Sequence, residues 1–384
     1  MGGMEGFAAR RRRGRRGRSA DGDERPPFVP AAAPAEQDQR GVLLIPLSFK
    51  DLAGFGEDDH EEAFRVFARS CSAIAANAPP LRKGVAAAAA LEAIAHAALD
   101  EKCLDATQAR QFFETHFRPF RILEKNAAFL TGYYEPIVDG SLTASRDFTA
   151  PVLARPDNLD LIAPYPDRAA IEAGALAGHA APVVWLRDCV EVFLVQVQGS
   201  ARLRLANGKM ARLVYAGRNG RSYTSIGRIL IESGDIAEAD MSLAVLKHWL
   251  RAHGQNPGDA GLTLMQRNPS YVFFTLEEDA DPAGVPVGGQ GIGLSALRSI
   301  AIDRAIWSYG LPFWIAAELP WQGPCVSRFR RLMIAQDTGS AITGPARADV
   351  FFGSGDDAGA QAGDIRHAGD MVVFLPAGKG QTGE

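Results

Sequence analysis

The chain has 384 residues, of which 47% are hydrophobic and 22% are charged, and its formal net charge is −4. This balance is typical of a globular protein that can bury a sizeable core, and it excludes a disordered chain. No apolar run reaches the roughly 18–20 residues that cross a bilayer, so a membrane-spanning helix is not expected.

Positive charge is concentrated in the first 18 residues. Seven arginines stand there against Glu5, which gives this segment +6 and leaves the rest of the chain at −10. A net-acidic body argues against nucleic acid as a partner, because binding a polyanion needs a cationic face. No secretory apolar stretch follows the arginines, and no nearby cysteine suits lipid attachment. We therefore expect residues 1–40 to be a low-complexity, disordered leader with no visible signal peptide or lipobox.

One strand and three helices follow this leader. Apolar residues 42–45, closed by Pro46, predict a strand. The acidic turn at 57–62 predicts the start of a first helix. An alanine-rich second helix is expected at about 84–99 and a third from Thr107 to His116. We expect these helices to pack against the body of the protein and to carry no chemistry.

The four cysteines are Cys71, Cys103, Cys189 and Cys325, and none forms a CxxC pair. The seven histidines also lack the spacing of metal ligands, so the sequence predicts no metal site and no cofactor. Cys71 and Cys103 fall in successive helical segments. A disulfide between them in an oxidising compartment and two buried thiols are both consistent with this spacing.

From about residue 130, short strands and turns replace the helices. Alternation over 193–198 predicts a strand with two glutamines on one face, and Asn207-Gly208 predicts a two-residue hairpin. A helix is expected near 236–254, and a strand at 271–274. The last third is expected to form five strands, at Ser299–Asp303, Phe313–Leu319, Arg331–Asp337, Asp349–Phe352 and Met371–Leu375. Without a βαβ series, a mostly-β protein with N-terminal helices is the better interpretation.

Three aspartates stand at the ends of predicted strands. Asp337 ends an apolar strand and is followed by Thr338-Gly339-Ser340, while Asp303 and Asp349 occupy similar positions. Such a carboxyl group is half-shielded by the core, and partial burial raises a carboxyl pKa, as general-acid work near neutral pH requires. The alternative is that all three aspartates merely cap turns.

Aromatic, amide and hydroxyl side chains cluster beside glycines in the middle of the chain. Tyrosine faces can stack on sugar rings, while amides and hydroxyls bond to sugar hydroxyl groups. The alternative is ordinary hairpin turns with tyrosines at a sheet edge. The candidate substrate-binding residues are Thr131, Gly132, Tyr133, Tyr134, Gln198, Gly199, Ser200, Tyr215, Asn219, Gly220, Tyr223, Ser225 and Gly339.

These clusters, the segment Asn268–Phe274 and the three aspartates appear in an order that resembles the membrane-bound lytic murein transglycosylase A family. The C-terminal part of that family is named for its three aspartates. The resemblance covers about residues 48–375. It implies a double-psi β-barrel domain formed by 48–136 and 266–384, with a smaller β domain inserted at 137–265. The groove between the two would hold a glycan strand of peptidoglycan.

The resemblance also implies a chemistry. Asp337 matches the family's single catalytic acid/base, and Asp303 and Asp349 match the supporting aspartates. Asp337 would protonate the oxygen between N-acetylmuramic acid and N-acetylglucosamine and then deprotonate the sugar's own C6 hydroxyl, giving a 1,6-anhydro end. This route consumes no water, so one carboxylate suffices where a hydrolase needs two. The family implies a location in the periplasm or at the outer membrane.

Two other functions stay open from the sequence. One is a true glycan hydrolase whose second carboxylate is Glu135 or Asp303, although a solvated turn residue is the simpler interpretation of Glu135. The other is a glycan-binding cell-wall module without catalysis. Neither partner proteins nor an oligomeric state can be predicted.

Overall fold

The structure is a computed structural model that describes residues 36–37, 41–101, 104–124, 128–278 and 284–377. The leader predicted for 1–40 falls almost entirely outside these ranges. Cys103 also lies outside the described residues, and so does the predicted pairing of Cys71 with Cys103. None of the helices in the described ranges has the length and apolar character that a membrane span requires.

Fifteen strands are formed by the described residues. In chain order they are β1 (Glu36–Gln37), β2 (Leu43–Pro46), β3 (Phe117–Leu123), β4 (Ala128–Glu135), β5 (Ile137–Ser141), β6 (Ala150–Leu153), β7 (Pro182–Leu186), β8 (Ala201–Leu205), β9 (Met210–Arg218), β10 (Val272–Glu278), β11 (Ser299–Ala301), β12 (Pro312–Leu319), β13 (Ser327–Asp337), β14 (Arg347–Ser354) and β15 (Arg366–Pro376).

Nine helices accompany these strands in the same part of the chain. They are α1 (His60–Ala75), α2 (Ala89–Asp100), α3 (Ala106–His116), α4 (Arg168–Ala170, continued by a π-helical turn at Ile171–Ala175), α5 (Cys189–Gln198), α6 (Ile226–Glu232), α7 (Leu243–Ala252), α8 (Ala260–Gln266) and α9 (Asp356–Gly363). Short 3₁₀ turns lie at Phe49–Asp51, Phe55–Glu57 and Glu238–Asp240.

Six strands close into a barrel. Around it they run in the order β15, β12, β13, β11, β14 and β4, and β4 pairs again with β15. The β11–β13 and β14–β4 pairs are parallel, and the remaining pairs are antiparallel. The second half of β15 also pairs with β3, which β2 and β1 extend as an antiparallel ribbon. The predicted fold class, mostly β with N-terminal helices and a barrel, is confirmed.

The N-terminal helices pack on the barrel through a shared aromatic core. Phe64 and Phe67 of α1 contact Phe112 and Phe113 of α3, with ring centroids 5.0–6.2 Å apart. Helix α1 begins at a side-chain cap: Asp59 accepts a hydrogen bond from the N–H of Glu62, as the acidic turn predicted. α2 begins at Ala89, five residues later than predicted.

A second sheet is inserted between β4 and β11. Its strand order is β10-β9-β8-β5-β7-β6, and only β5 and β8 are parallel. A hairpin joins β8 to β9 at Asn207-Gly208 as predicted, but its loop is longer than the two residues expected, because the N–H of Leu205 donates to the carbonyl of Lys209 and Ala206 also lies in the turn. The domain boundaries stay a prediction, but β10 bears on them. This strand pairs with β9 along its length, so the sheet of the insert extends to residue 278, past the predicted end at 265.

The strand predicted at 193–198 is wrong, because these residues form the end of helix α5. Helix α5 packs between two hydrophobic cores. Val192 and Val195 contact the core of the inserted sheet. Val190, Phe193 and Leu194 contact the core formed with the other helices of the insert. Burial on two sides makes the run almost continuously apolar, which hides the helical period. The capping residues at both ends indicate the helix more clearly than the apolar pattern does. Asp188 accepts a hydrogen bond from the N–H of Glu191 at the start, and Gly199 ends the helix at φ +83°.

The helix predicted at 236–254 is also shorter than expected. α7 begins only after Ser242, whose hydroxyl accepts a hydrogen bond from the N–H of Val245. Met241 packs into the helical core of the insert from the turn before it. Apolar residues at helical spacing therefore begin before the helix itself does, because the turn that precedes α7 also packs into this core.

Candidate active site

Three neighbouring strands bring Asp337 and Asp349 to the same level of the barrel. Ala301 of β11 pairs with Asp337 of β13 on one side and with Asp349 of β14 on the other. Thr131 of β4 continues the row beyond Asp349. The Cα atoms of the two aspartates are therefore two strand spacings apart, about 10 Å.

The carboxylate of Asp337 is held by donors from three parts of the chain. Its Oδ1 accepts hydrogen bonds from the N–H groups of Gly289 at 2.7 Å and Thr338 at 2.8 Å. Its Oδ2 accepts from the Tyr133 hydroxyl at 2.9 Å. The side chain is 11% exposed. Because two N–H donors occupy Oδ1, Oδ2 is the oxygen on which a proton can reside.

The groups around Asp337 are fixed in protonation state and in position. Burial, followed by the charge of Asp337, raises the pKa of the Tyr133 hydroxyl well above its usual range. Burial likewise raises the pKa of Tyr309 to about 12. A Cβ atom at Gly289 would lie 2.7 Å from the Tyr309 hydroxyl and 3.3 Å from Oδ1 of Asp337. Only glycine can therefore bring its N–H this close to the carboxylate.

Arg82 is a site residue that the sequence analysis missed. Its Nη1 lies 3.6 Å from Oδ1 of Asp337 and donates to the carbonyl of Thr338. Its guanidinium also covers the ring of Tyr215, 4.2 Å from the centroid. Arg82 lies in the irregular segment between α1 and α2, 256 residues before Thr338. Such a segment has no periodicity or motif from which its contacts could be inferred.

Asp349 has a different environment from Asp337. Its Oδ1 accepts from the Thr131 hydroxyl at 2.6 Å, and that hydroxyl oxygen in turn accepts from Nη2 of Arg347 at 2.7 Å. Burial raises the pKa of Asp349, while the positive charge of Arg347 opposes the shift. Burial also lowers the pKa of Arg347.

A groove between the barrel and the inserted sheet exposes both aspartates. Its empty volume is about 650 Å³, counted with its open mouth. The barrel side and the segments packed on it contribute Arg82, Tyr133, Ala301, Arg304, Asp337, Thr338, Gly339, Ser340 and Asp349. The insert contributes Gln196, Val197, Gln198, Gly199, Tyr215, Arg218 and Val272.

Comparisons with known proteins agree with this architecture. A family model described as the MltA specific insert domain matches residues 129–275, and one described as the 3D domain matches residues 298–375. The solved membrane-bound lytic murein transglycosylase from Agrobacterium tumefaciens is 34% identical, with a TM-score of 0.76. The match covers 86% of this chain and 97% of that one. The chain belongs to the membrane-bound lytic murein transglycosylase A family. The resemblance inferred from the sequence is thereby confirmed.

Two further relatives within the MltA family define how far the similarity reaches. Membrane-bound lytic murein transglycosylase A of Escherichia coli K12 is 33% identical over 253 residues. That match covers 64% of this chain and 65% of the relative, just under two thirds of its length. The solved structure of E. coli MltA with bound chitohexaose is 26% identical, with a TM-score of 0.62 over 82% of this chain and 90% of that one.

The residues predicted to form the site of this MltA-family chain divide into two groups. Seven line the groove: Tyr133, Gln198, Gly199, Tyr215, Asp337, Gly339 and Asp349. The others, which lie outside its lining, are Thr131, Gly132, Tyr134, Ser200, Asn219, Gly220, Tyr223, Ser225 and Asp303.

Gly132 and Tyr134 serve packing between β4 and α9. A Cβ atom at Gly132 would lie 2.8 Å from both Cα and the carbonyl oxygen of Ala362. The buried ring of Tyr134 lies against Gly359, which has room for no side chain. The Tyr134 N–H donates to Oε1 of Gln198 at 3.2 Å. This contact links Tyr134 to the groove through its backbone.

Three other predicted binding residues form hydrogen bonds within the protein. Thr131 orients Asp349, as described above. Asn219 is buried, and its Nδ2 donates to the carbonyls of Pro166 and Pro269 at 3.0 and 2.8 Å. Ser225 is the N-cap of α6, where its hydroxyl accepts from the N–H of Arg228.

Asp303 caps a turn, as the alternative interpretation held for all three aspartates. Its Oδ1 accepts from the N–H of Ala305 at 2.9 Å, and its Oδ2 accepts from the N–H of Gly344 at 2.8 Å. Asp303 thus ties the end of β11 to the loop that follows Asp337. Asp303 is not among the residues that line the groove.

Glu135 is neither a second groove carboxylate nor a solvated turn residue, so both interpretations of it were wrong. The side chain is fully buried. Its Oε1 accepts from Arg212 at 2.9 Å, and its Oε2 accepts from Arg202 at 3.1 Å and from Ser354 at 2.7 Å. Because the arginines belong to the inserted sheet and Ser354 to the barrel, this network joins the two.

Proposed function

We propose that this protein is a lytic transglycosylase that cleaves peptidoglycan between N-acetylmuramic acid and N-acetylglucosamine, with Asp337 as acid and then as base. One observation carries the proposal. Asp337 faces the groove between barrel and insert, with Oδ1 occupied by two backbone donors and Oδ2 beside the Tyr133 hydroxyl. Membership of the MltA family supports the reaction class.

In the proposed reaction, Oδ2 of Asp337 first donates a proton to the substrate and later accepts a different proton from it. Protonated Asp337 gives its proton to the bridging oxygen, the C1–O bond breaks, and positive charge develops at C1. The carboxylate then takes the proton of the C6 hydroxyl, whose oxygen forms the new bond to C1. Water is not consumed, and Asp337 ends protonated as it began. The Tyr133 hydroxyl serves both states, because it can donate to the carboxylate and accept from the acid.

Asp349 and Asp303 have supporting roles in this proposal. Asp349 faces the same groove, where ionised it would stabilise positive charge at C1. Asp303 holds the loop after Asp337 through the N–H of Gly344. The Tyr215 ring and the Gln198 amide offer a stacking face and a hydrogen-bonding group to sugars.

Glycan strands of peptidoglycan are the partner that this function requires. The E. coli relative with bound chitohexaose supports a β-1,4-linked amino-sugar chain as the ligand class. The relatives named membrane-bound support a location in the periplasm at the outer membrane. Fractionation of cells together with N-terminal sequencing of the purified protein tests this location.

The deciding experiment compares Asp337→Asn with the wild type on purified sacculi. We expect the release of anhydro-muropeptides to fall by about 10²–10⁴-fold, since the variant cannot transfer a proton. The melting temperature should stay within a few degrees. Asp240→Asn, at an exposed position outside the groove, is the matched control and should keep full activity. Unchanged release by Asp337→Asn would refute its role. Wild-type protein that binds sacculi but releases nothing would be a glycan-binding module.

A true hydrolase is the second candidate, because Asp349 gives the groove a second carboxylate. An inverting hydrolase needs two carboxyl groups about 6.5–9.5 Å apart, with a water between them. Mass spectrometry of the products separates the two functions. Hydrolysis leaves reducing ends that are one water heavier than the 1,6-anhydro ends of a lytic transglycosylase.

A further inference from the structure

The residues that line the groove include three arginines but only two aspartates, so positive charge is in excess there. Among the lining residues, Arg82, Arg218 and Arg304 are cationic. Arg82 is engaged with Asp337, Thr338 and Tyr215. Within the described residues, neither Arg218 nor Arg304 forms an ion pair with a carboxylate.

Arg218 is held in place without neutralisation. It is the last residue of β9 in the insert, and its Nη2 donates to the carbonyl of Arg221. Its Nε is buried and has no hydrogen-bond partner among the described residues. Burial lowers the pKa of Arg218, and the charges of Arg304 and Arg82 lower it further. A partly desolvated guanidinium beside two like charges is unfavourable unless an anion joins it.

Arg304 approaches from the other wall of the groove. It lies just after β11, and its positive charge opposes the rise that burial causes in the pKa of Tyr309. The backbone carbonyl of Arg304 accepts a hydrogen bond from the N–H of Val85 at 2.9 Å, which holds the Cα atom of Arg304 in place. The two arginines therefore come from opposite walls of one groove, and the charge of Arg304 is near enough to lower the pKa of Arg218.

We propose that Arg218 and Arg304 together bind a carboxylate of the substrate and so select acidic glycans over neutral ones. The guanidinium group suits this role because its planar set of donors matches a carboxylate and keeps its charge. An anion bound between the two guanidinium groups would neutralise their charge and connect the barrel to the insert.

This inference rests on the proposed function for the identity of the ligand. Chitin-type strands carry no charge, whereas in peptidoglycan the lactyl ether of N-acetylmuramic acid ends in a carboxyl group. In intact peptidoglycan that group is joined to a peptide, whose own carboxylates then carry the charge. Arg218 and Arg304 are thus specificity-determining residues that distinguish murein from chitin.

Binding measurements in the Asp337→Asn background test the inference, because ligands stay uncut whatever reaction the wild type performs. Calorimetry would compare three hexasaccharides: chitohexaose, a peptide-free murein strand with exposed lactyl carboxylates, and the same strand with stem peptides. We expect at least one acidic strand to bind about tenfold or more tightly than chitohexaose. Arg218→Gln and Arg304→Gln should each reduce this ratio to about twofold or less.

The controls separate charge recognition from folding. Arg228→Gln removes an exposed arginine paired with Glu232 and should keep the ratio. Chitohexaose affinity should be unchanged in all variants, and Arg→Lys variants should keep part of the ratio. Preference for the peptide-free strand identifies the lactyl carboxylate, and preference for the other strand identifies the stem peptide. The inference is overturned if acidic strands bind no more tightly than chitohexaose, or if their preference survives both Gln substitutions. If the preference for acidic strands depends on the two arginines but the wild type cleaves no peptidoglycan, only the proposed function is overturned.

Discussion

The hydroxyl of Tyr133 lies 2.9 Å from Oδ2 of Asp337, although the two residues are 204 positions apart in the chain. Tyr133 belongs to β4, before the inserted sheet, and Asp337 ends β13, after it. The barrel therefore brings the chain segments on both sides of the insert to a single carboxyl oxygen. Four experiments test what the geometry around this contact and elsewhere in the fold implies.

Removal of the Tyr133 hydroxyl should slow turnover more than it weakens binding. In Tyr133→Phe, Oδ2 of Asp337 loses the partner that serves both of its protonation states. We expect kcat to fall about 10–100-fold with KM changed less than threefold, because a charge-assisted hydrogen bond of this kind is worth about 1.5–3 kcal/mol. Steady-state kinetics on soluble glycan strands measure both constants. An equal rise in KM with an unchanged kcat would mean that the hydroxyl contacts the sugar instead.

Glu135→Gln should destabilise the fold, because it removes the buried negative charge that both Arg202 and Arg212 contact. Breaking a buried ion pair from one side costs about 3–5 kcal/mol. Denaturation in urea gives the change in the free energy of unfolding. Glu232→Gln, in an exposed pair with Arg228, is the control and should cost less than about 1 kcal/mol. A loss no larger than that of the control would contradict the role of Glu135 in joining the barrel to the insert.

Gly132→Ala tests whether Gly132 serves packing, as its contacts indicate. The new methyl group would meet backbone atoms of Ala362 at 2.8 Å, and backbone cannot move aside as a flexible side chain can. We expect a loss of about 1–3 kcal/mol in the free energy of unfolding. In Gly227→Ala, within α6, the nearest atom is Sδ of Met241 at 3.6 Å, so this control should be neutral or stabilising. Equal effects at both positions would contradict the steric explanation.

His60 makes the fold sensitive to mild acid. Its ring is buried at the start of α1, with Nε2 2.6 Å from the carbonyl oxygen of Phe55, and burial lowers its pKa below the usual 6.5. The unfolded chain therefore takes up a proton first, so stability present above about pH 6.5 is lost as pH falls toward the folded pKa. Between pH 7 and 5, His60→Gln should lose about 2–4 °C less in melting temperature than the wild type. Parallel curves for the two proteins would exclude His60 as the cause.

The sequence predicted most strands of the barrel and the position of Asp337, because both depend on local pattern. An apolar strand that ends in Asp337-Thr338-Gly339 specifies a carboxyl group at a sheet rim without reference to the rest of the chain. The helix α5 was missed for the opposite reason, since burial on two faces erased its period. Its caps, Asp188 and Gly199, were visible in the sequence and would have corrected the assignment.

Other parts of the site could not be predicted, because they depend on long-range contacts. Arg82 reaches Asp337 from an irregular segment, and Gly289 contributes only an N–H group. Glu135 was misjudged because its two arginine partners lie on β8 and β9, about 70 residues further along the chain. A motif shows which residue types recur, but charge pairing across two domains becomes visible only in the folded protein.

The barrel closes through strands taken from both sides of a large insertion, and this has a consequence for biosynthesis. A nascent chain that has emerged as far as β10 contains Arg82, Tyr133 and Tyr215 but neither groove aspartate. The carboxylates arrive only with β13 and β14, after every groove residue of the insert has been made. A polypeptide released before β13 would thus hold much of the groove without either carboxylate of the proposed reaction.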